Sequence, residues 1–256
     1  MGKNKNKISK NPFVSVCTPT FNRRPFIPFI IKCFENQTYP KDKITWIIVD
    51  SSEKPEDSWN EVIKQDWIKI IYSYCPHFDT LGLQRNKTLD IARTLDIEYC
   101  LLWDDDDFYF PDRIKYSVEM MLGNPSYKVG GSTCSILGII NKNALMFCGP
   151  YGETHCLEPS VIFKRSYADY NCFDQFDKRG LLAPFLRWHK DHEPVLQLDI
   201  NKLYILLGHG SNTFDKNKVY ENPDKFSSKI ISMSFIDYFT QFLNDDMYDL
   251  FRSTFV

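Results

Sequence analysis

Four consecutive aspartates, Asp104 to Asp107, directly follow the apolar run Tyr99–Trp103. A short apolar run that ends in charged residues is typical of a strand buried on both faces of an α/β sheet. Open α/β sheets bind their ligands beyond the carboxyl ends of their strands, which is where these aspartates fall. Because adjacent carboxylates repel one another, a fold that gathers four of them supplies a cation or leaves them in solvent.

The apolar residues that follow this acidic run favour a metal site over a solvated acidic turn. Phe108–Pro111 follows the last aspartate, whereas a surface turn normally continues into polar residues. Mg²⁺ and Mn²⁺ bind one or two carboxylates in such places and keep positions open for water and substrate phosphates. We therefore expect Mn²⁺ or Mg²⁺ as the cofactor at the end of this strand.

Length and charge narrow the class of protein. The 256 residues are 43% hydrophobic, which is enough apolar material for the core of one large domain. The net charge of −2 supplies no global field that would attract a nucleic acid. We expect a disordered leader over residues 1–11, a single domain over residues 12–256, and no nucleic-acid partner.

The cysteines and the hydropathy pattern indicate a soluble cytoplasmic protein. Eight cysteines occur singly and never as a CxxC pair, so neither a zinc site nor a disulfide framework is expected. No apolar run reaches the roughly 20 residues that span a bilayer, so no transmembrane segment is predicted. The Lys- and Asn-rich start lacks the apolar core of a signal peptide. Nothing in the sequence indicates the oligomeric state.

The first half alternates predicted strands with helical or polar segments, as parallel α/β sheets do. Its strands are Phe13–Cys17, Ile44–Asp50, Trp67–Tyr74 and the run before the aspartates, with helices over residues 25–36 and from Leu81 onward. The second half is predicted to contain helices Asp112–Leu122, Arg187–Leu198 and Phe226–Phe242, and strands within Lys128–Cys148, Glu158–Arg165 and Lys202–Leu207. The chain is therefore expected to be an α/β domain with a Rossmann-like first half.

Two common phosphate-binding signatures are missing. Neither GxGxxG nor GxxxxGK[ST] occurs, which leaves a dinucleotide dehydrogenase and a P-loop ATPase without support. The helix that begins near Leu81 carries Gly82, which permits close backbone approach, and Arg85, which suits a phosphate. Arg85 and Asn86 have an equally simple interpretation as helix-capping residues.

Four short motifs, in order, resemble those of the GT-A nucleotide-sugar glycosyltransferases, in particular the inverting glycosyltransferase family 2. They are Val14–Arg23, Ile47–Ser52, Gly82 with Arg85-Asn86, and Trp103–Asp107 followed by Pro111. The resemblance covers residues 13–115 and implies a GT-A fold, which is a Rossmann-like, mixed and mainly parallel sheet flanked by helices. It also implies a nucleotide-sugar-binding half over residues 12–115 and an acceptor-side half with a C-terminal helix over residues 116–256.

The resemblance implies a set of donor-binding residues. The expected nucleotide-sugar contacts are Thr18, Thr20, Asn22, Arg23, Asp50, Arg85, Asn86, Asp104 and Asp105. Asp106 is the first-choice metal ligand, and Asp104 and His209 are expected as further members of the metal shell.

Several of these assignments have an alternative interpretation. Asp50 is expected to accept from the nucleotide base, but a strand-end turn residue is nearly as consistent with its position. Asp105 alternates to the other face of the extended chain and is also a candidate structural residue. His209 in its Gly-rich loop is alternatively a surface or otherwise satisfied polar group. The role of Asp107 is left open.

The acceptor side resembles the family more loosely. The family carries a Glu-Asp pair whose aspartate is the catalytic base, and Lys190-Asp191 occupies that place here. Asp191 is therefore the expected base, with Glu193 as the alternative. Residues two apart on a helix point about 200° from each other, so at most one of these carboxylates is expected to face the sugar.

The implied function is an inverting, metal-dependent transfer of a hexosyl or N-acetylhexosaminyl group. The donor would be a nucleoside-diphosphate sugar, with a UDP-sugar favoured, and the acceptor a hydroxyl of a glycan, a glycolipid or a protein glycan. One alternative is a nucleotidyltransferase, which usually has a Gly-rich loop after its first strand, whereas residues 18–24 contain no glycine. The other is a catalytically inactive sugar- or nucleotide-binding module, which the intact aspartate run disfavours.

Overall fold

The computed structural model describes residues 10–55, 59, 63–64, 67–178, 182–187 and 192–256. Most of the predicted leader lies outside the described residues. The strands are β1 (Val14–Thr20), β2 (Ile44–Asp50), β3 (Lys69–Tyr74), β4 (Tyr99–Leu102), β5 (Phe108–Tyr109), β6 (Val129–Gly131), β7 (Ser135–Ile139), β8 (Ala144–Cys148), β9 (Ile162–Lys164), β10 (Val195–Gln197), β11 (Tyr204–Gly208) and β12 (Ser228–Ser234).

Helices flank these strands, and the last of them lies at the C-terminus. They are α1 (Ile27–Glu35), α2 (Leu81–Arg93), α3 (Arg113–Gly123), α4 (Leu182–Phe185), α5 (Asn217–Glu221), α6 (Phe235–Phe239) and α7 (Asp245–Phe255). Over the described ranges, each helix falls short of the length and apolar character that crossing a bilayer requires.

The larger sheet has the strand order β10-β6-β9-β4-β1-β2-β3. Strands β4, β1, β2 and β3 are parallel neighbours, while β9 is antiparallel to both β4 and β6. The register places Thr20 opposite Asp50 and Cys17 opposite Leu102, so the carboxyl ends of β1, β2 and β4 lie at one edge. This carboxyl edge carries the loops in which the predicted donor-site residues fall.

A smaller sheet, in the order β12-β8-β7-β11-β5, extends the fold beyond the aspartates. Strand β5 begins directly after the aspartates and pairs antiparallel with β11, with Phe108 opposite Ile205. Strand β11 ends at Gly208, so the pairing with β5 delivers the following residue, His209, to the aspartate turn.

Apolar side chains of the larger sheet alternate between two buried clusters. Val16, Trp46 and Ile48 belong to one cluster, which α1, α3 and α7 cover. Cys17 and Ile47 belong to the other cluster, which α2 and α4 cover. Neighbouring residues of a strand point to opposite faces of the sheet, so this alternation shows that the larger sheet is buried on both faces.

The structure confirms the predicted α/β class with a mainly parallel sheet flanked by helices. Two predicted helices are wrong in part. Residues 195–197 of the predicted helix Arg187–Leu198 form β10, which is parallel to β6. Residues 228–234 of the predicted helix Phe226–Phe242 form β12, paired with β8, whereas its second half is helical as α6 and a 3-10 turn over Thr240–Phe242. The C-terminal helix is instead α7. Short apolar segments suit either a helix or a strand. Here they form strands because β6 and β8 offer backbone groups for them to pair with.

The predicted strand Glu158–Arg165 begins with a turn. Residues Glu158–Ser160 form a 3-10 turn, and only Ile162–Lys164 pair as β9. Pro159 has no N–H for a sheet hydrogen bond, which explains why this part of the segment leaves the ladder. The turn lies at the carboxyl edge of the sheet. The N–H of Leu102, the last residue of β4, donates to the carbonyl of Val161, which directly follows the turn, at 3.1 Å.

Candidate active site

The aspartate turn, residues 104–107, begins where β4 ends and is braced by two aromatic rings. The Trp103 N–H donates to the Cys17 carbonyl at 3.0 Å, which keeps the chain against β1. The Asp104 N–H donates to the Tyr109 hydroxyl at 2.7 Å, and the Tyr109 ring stacks on Trp103 with centroids 3.8 Å apart. The chain therefore reverses within this turn and returns as β5.

Three nitrogen-bearing side chains converge on Oδ2 of Asp106. Nε2 of His209 lies 3.2 Å from this oxygen, Nδ2 of Asn212 3.3 Å and Nη2 of Arg23 3.4 Å. Arg23 comes from the loop after β1, whereas the other two come from the loop after β11. Polar and cationic groups around a carboxylate oxygen are what stabilises a carboxylate that has been taken out of water.

Arg23 links the aspartate turn to the loop after β11. Its Nε lies 3.6 Å from Oδ1 of Asp105, and its Nη1 donates to the Ser211 carbonyl. The guanidinium also lies 5.5 Å from the centroid of the Phe26 ring. The structure therefore brings the predicted Arg23 to the aspartates, through contacts that would compete with another cation for the same oxygens.

The four carboxylates differ in their exposure. The Asp104 side chain is 26% exposed, against 8% for Asp105, 11% for Asp106 and 2% for Asp107, so Asp104 is the one that faces solvent. Among the described residues, Oδ2 of Asp105 has no hydrogen-bond partner. Buried polar atoms normally have a partner, and at this position a bound ligand would supply it.

Asp107 joins the aspartate turn to β11. Its Oδ1 accepts from the Leu207 N–H at 2.9 Å, and Nζ of Lys216 lies 3.2 Å from the same oxygen. The Lys216 ammonium also donates to the Leu207 carbonyl at 3.0 Å. Asp107, whose role the sequence leaves open, is therefore a structural link between the two sheets.

The environment of the turn separates the pKa values of its buried carboxyls. Burial raises the pKa of Asp107 to about 7, although the Lys216 charge opposes this shift. Burial and the neighbouring Asp106 charge raise the pKa of Asp105 well above its usual range. Burial would raise the pKa of Asp106 as well, but the His209 hydrogen bond and the Lys216 charge hold it below its usual range. Asp106 is therefore the buried carboxyl that stays ionised.

The loop after β1 packs against the end of β2. Strand β1 continues past the predicted end at Cys17, so Thr18 and Thr20 lie in the strand, because its pairing with β2 runs to Thr20 opposite Asp50. The Thr18 hydroxyl accepts from the Trp46 indole N–H at 2.9 Å, and Thr20 is also buried. Asn22 has a φ of 53°, in the left-handed region that asparagine tolerates better than most residues. Its N–H donates to Oγ of Ser52 at 2.7 Å, so the loop is held in place by the residues that follow β2.

Asp50 is fully buried, and both of its carboxylate oxygens accept hydrogen bonds. The Ser52 N–H donates to Oδ1 at 2.8 Å, and the Tyr72 hydroxyl donates to Oδ2 at 2.6 Å. The Ser52 contact is the strand-end turn of the alternative interpretation. A contact between Asp50 and a nucleotide base stays a prediction.

The start of α2 packs against the acceptor-side half. Thr80 caps the helix by accepting from the Leu83 N–H at 3.2 Å, and its hydroxyl donates to the Gln175 carbonyl at 2.6 Å. A Cβ at Gly82 would lie 1.9 Å from the Asp174 carbonyl oxygen. The close backbone approach predicted at Gly82 is therefore made by the chain itself.

Arg85 and Asn86 contact different parts of the molecule. Nη2 of Arg85 lies 3.3 Å from Oδ1 of Asp104, and its guanidinium lies 5.4 Å from the centroid of the Phe173 ring. Asn86 exchanges two hydrogen bonds with the Phe173 backbone, at 2.9 and 2.8 Å. The structure therefore brings Arg85 to the aspartates and gives Asn86 a role in joining the two halves, while a contact of Asn86 with a nucleotide stays a prediction.

The two candidate bases are placed differently. Asp191 lies outside the described residues. Glu193 is buried, and its Oε2 lies 3.3 Å from the Lys128 ammonium. Lys128 is level with Tyr99, so Glu193 lies at the amino edge of the sheet. Asp104 lies beyond the other end of β4, about 16 Å from Tyr99. The structure does not bring Glu193 to the aspartates.

Three polar residues near the aspartates were not assigned from the sequence. Asn212 is one, and the Gly-rich polar segment after a predicted strand was its only local signal. Lys216 has no local signal, since it lies 109 residues from its partner Asp107. Glu158 is the third: burial raises its pKa, the Arg85 charge lowers it, and the Asp104 charge raises it, so Glu158 is within electrostatic range of the turn.

The residues present fit a divalent metal ion that is bound together with a diphosphate. Across the described residues, no group of three or more His, Cys, Asp and Glu side chains is close enough to hold a metal ion alone. The Asp104 and Asp106 carboxylates and the His209 imidazole are nevertheless suitable donors. Mg²⁺ and Mn²⁺ are commonly held by one or two carboxylates, with water and substrate phosphates completing the shell.

Comparison with known sequences identifies the family. The family model for glycosyl transferase family 2 matches residues 15–147, which is just over half of the 256-residue chain and includes the aspartate turn. The chain belongs to glycosyl transferase family 2. Among curated proteins, none matches this family 2 sequence.

Solved structures share the fold of this family 2 chain at low sequence identity. The S. aureus TarS fragment 1–349 in complex with UDP has a TM-score of 0.56 at 16% identity, over 82% of this chain and 62% of its own. The mannosyltransferase PcManGT from Pyrobaculum calidifontis, in complex with GDP-Man and Mn²⁺, has a TM-score of 0.56 at 16% identity, over 77% of this chain and 56% of its own. The chain therefore spans about three fifths of the length of these two solved chains, and the likeness confirms the GT-A fold.

Proposed function

We propose that the protein is an inverting, metal-dependent glycosyltransferase that moves a sugar from a nucleoside-diphosphate sugar to an acceptor hydroxyl. The observation that carries this proposal is the convergence of Arg23, His209 and Asn212 on Asp106 at the carboxyl edge of the sheet. This arrangement places carboxylates and cationic groups side by side, which suits the joint binding of a diphosphate and its metal ion. Membership of glycosyl transferase family 2 supports the same activity.

The nucleotide is proposed to bind across the loop after β1 and the end of β2. Asp50 would accept from an N–H of the base, with Thr18 and Thr20 at the end of β1 and Asn22 in the loop after it as further contacts. TarS is known in complex with UDP and with UDP-GlcNAc, and PcManGT with GDP-Man. We favour a UDP-sugar as the donor, carrying a hexosyl or N-acetylhexosaminyl group.

The metal ion is proposed to be Mn²⁺ or Mg²⁺, and PcManGT was solved with Mn²⁺. Asp106 would hold it, with Asp104 and His209 as further ligands. When bound, the ion neutralises the charge that develops on the departing diphosphate. The ionised state of Asp106 supports this assignment, because a deprotonated carboxylate is the form that binds a cation.

The chemistry proposed for the chain's own residues is a single displacement. Asp191 takes the proton of the acceptor hydroxyl while its oxygen attacks the anomeric carbon from the face opposite the diphosphate. The bond from that carbon to the diphosphate breaks as the new glycosidic bond forms, and the diphosphate leaves with the electron pair. Arg23 and Arg85, which contact Asp106 and Asp104, would stabilise its charge.

The acceptor is proposed to be a carbohydrate hydroxyl on a glycan, a glycolipid or a protein glycan. It would approach from the acceptor-side half, where residues 173–177 pack on the start of α2. Through Asn86 and Arg85 this segment is connected to the aspartate turn, so the acceptor-side and donor-side residues border one another.

A panel of UDP-, GDP- and dTDP-sugars with Mn²⁺ tests the proposal, read by thermal shift and by donor hydrolysis. A ligand at 100 times its Kd stabilises the folded protein by about 2.7 kcal/mol, so the correct donor should raise the Tm. The rise should disappear when EDTA removes the metal ion. Asp106→Asn should abolish it, whereas Asp90→Asn, which removes an exposed carboxylate of α2, should retain it.

The two alternative functions give different results in the same panel. A nucleotidyltransferase would turn over a nucleoside triphosphate with release of pyrophosphate and would leave the donor sugars intact. A binding module would show the thermal shift without turnover of any donor or triphosphate. Either result would overturn the proposed transfer activity.

A further inference from the structure

Arg113, the first residue of α3, is fully buried behind the aspartate turn. Its Nη2 donates to two carbonyl oxygens, that of Leu102 at 2.7 Å and that of Pro159 at 2.6 Å. Leu102 is the last residue of β4, and Pro159 lies in the turn that precedes β9. The guanidinium therefore ties the strand that carries the aspartates to the acceptor-side turn that carries Glu158.

Two aromatic rings hold this guanidinium in place. Its central carbon lies 4.9 Å from the centroid of the Trp103 ring and 5.0 Å from that of the Tyr109 ring. A cation over an aromatic face is attracted by the ring, most strongly where water is excluded. The same two rings stack on each other, and the Tyr109 hydroxyl accepts the N–H of Asp104. One connected unit therefore runs from Arg113 to the backbone of the first aspartate.

Arg113 keeps its charge although it is buried. Burial lowers the pKa of Arg113 to about 10, with the Asp104 charge opposing the shift, so the group is protonated at neutral pH. Within the described part of the chain, its Nε and Nη1 have no hydrogen-bond partner. A buried cation with free donors destabilises a fold, and the Asp104 charge offsets part of that cost.

We propose that Arg113 is a positioning residue of the metal and nucleotide site, a role that rests on the proposed function. Its bonds to the Leu102 and Pro159 carbonyls fix the aspartate turn relative to the acceptor-side turn. A merely structural residue would affect unfolding alone and would leave the folded protein's affinity for Mn²⁺ unchanged.

Three substitutions separate the charge of Arg113 from its hydrogen bonds. Arg113→Met removes both, Arg113→Gln keeps an amide donor without the charge, and Arg113→Lys keeps the charge without the planar fork. Affinity for Mn²⁺ is measured by the electron paramagnetic resonance of the free ion, at a temperature well below the Tm of each variant. Loss of a group that orients metal ligands weakens metal binding by about 10- to 100-fold. We expect the Met and Gln variants to bind Mn²⁺ at least about 10-fold more weakly than wild type. The affinity of the Lys variant should lie between theirs and that of wild type.

Lys115→Met is the matched control, because it removes an exposed cation from the same helix. It should bind Mn²⁺ as wild type does. Folded Met or Gln variants of Arg113 with wild-type affinity for Mn²⁺ would overturn the proposal. Should none of the Arg113 variants fold, Tyr109→Phe takes their place: it removes only the hydroxyl that accepts the Asp104 N–H, and unchanged Mn²⁺ affinity in this variant would overturn the proposal as well.

Hydrogen exchange provides a second readout that does not depend on the proposed function. In Arg113→Met, the amides of residues 99–110 and 157–164 should exchange faster together, while the rest of the protein exchanges as in wild type. Unchanged exchange in both segments would show that Arg113 does not fix them. If wild-type protein binds neither Mn²⁺ nor a nucleotide, the proposed function fails, and the exchange result still decides whether Arg113 holds the two turns.

Discussion

Nε2 of His209 lies 3.2 Å from Oδ2 of Asp106, although 103 residues separate the two in the sequence. The imidazole packs against two phenylalanines, since its centroid lies 4.6 Å from that of Phe26 and 5.5 Å from that of Phe255. Phe26 directly precedes α1, and Phe255 ends α7. Segments from both ends of the chain therefore set the position of a side chain that contacts the aspartate turn.

His209→Ala should weaken Mn²⁺-dependent binding of UDP by about 10-fold, because Asp106 loses a hydrogen-bond partner and the metal a candidate ligand. Calorimetric titration with UDP at saturating Mn²⁺ measures the change. His155→Ala is the control, because the His155 ring contacts Tyr151, with centroids 5.2 Å apart. Equal affinities in wild type and His209→Ala would remove His209 from the metal shell.

Arg23→Gln should tighten the binding of Mn²⁺ alone, because the guanidinium lies on oxygens of Asp105 and Asp106 that the ion needs. We expect a gain of about 10-fold at low salt, which corresponds to about 1.4 kcal/mol, and a smaller gain at high salt. Binding of UDP at saturating Mn²⁺ should weaken, since a cation near the diphosphate is lost. Lys115→Gln should change neither affinity, and weaker Mn²⁺ binding by Arg23→Gln would mean that Arg23 organises the site instead of competing for it.

Asp50→Ala and Tyr72→Phe together test the two interpretations of Asp50. The alanine variant leaves the Tyr72 hydroxyl and the Ser52 N–H without their acceptor, so the free energy of unfolding in urea should fall by about 1–3 kcal/mol. If Asp50 also contacts the base, Asp50→Ala should lose far more UDP affinity than Tyr72→Phe, which keeps the carboxylate. Similar UDP affinities in both variants would leave Asp50 as a turn residue.

Asp191→Asn should reduce sugar transfer by about 10²-fold or more, because the acceptor hydroxyl loses its base, while donor and Mn²⁺ binding stay intact. Transfer is measured with the donor found in the panel and a mixture of mono- and oligosaccharide acceptors. Glu193→Gln is the control, because Glu193 pairs with Lys128 at the opposite edge of the sheet. Full transfer by Asp191→Asn together with an inactive Glu193→Gln would exchange the two roles.

Gly82→Ala should lower the free energy of unfolding by about 1–3 kcal/mol, because the new Cβ would overlap the Asp174 carbonyl oxygen. Gly123→Ala is the control at the end of α3, where nothing lies within 4 Å of an added Cβ. This change should raise the free energy of unfolding by about 0.4–1 kcal/mol. Urea unfolding measures both, and a Gly82→Ala variant as stable as wild type would show that the segment around Asp174 shifts easily.

Local pattern was sufficient for the donor-side half of the sheet. Ile44–Asp50 is predicted and observed with the same ends, and the run before the aspartates is the predicted central strand. Buried parallel strands are continuous apolar runs, so their signal is local and strong. The position of the aspartates at the carboxyl edge follows from the same pattern, since strand direction is shared across a parallel sheet.

Where the local pattern predicted a helix wrongly, the segment forms a strand because it pairs with a neighbouring strand. Segment 226–242 has apolar residues that suit a helix face, yet Ser228–Ser234 completes the exposed edge of β8 as a strand. The same applies to Val195–Gln197 beside β6. Edge strands of a few residues carry too little periodicity to be distinguished from a helix, so the partner already present in the sheet determines their state.

The sequence by itself determined which residue types stand at the sheet edge, because carboxylates and arginines follow apolar runs at fixed local spacing. Only the tertiary structure decided which of them meet. Asp106 contacts His209, Asp107 contacts Lys216, and Arg113 joins Leu102 to Pro159, all across the packing of separate elements. Contacts of this kind come from how two sheets and their helices are packed, and that packing depends on the whole set of buried side chains, so no local stretch of sequence encodes them.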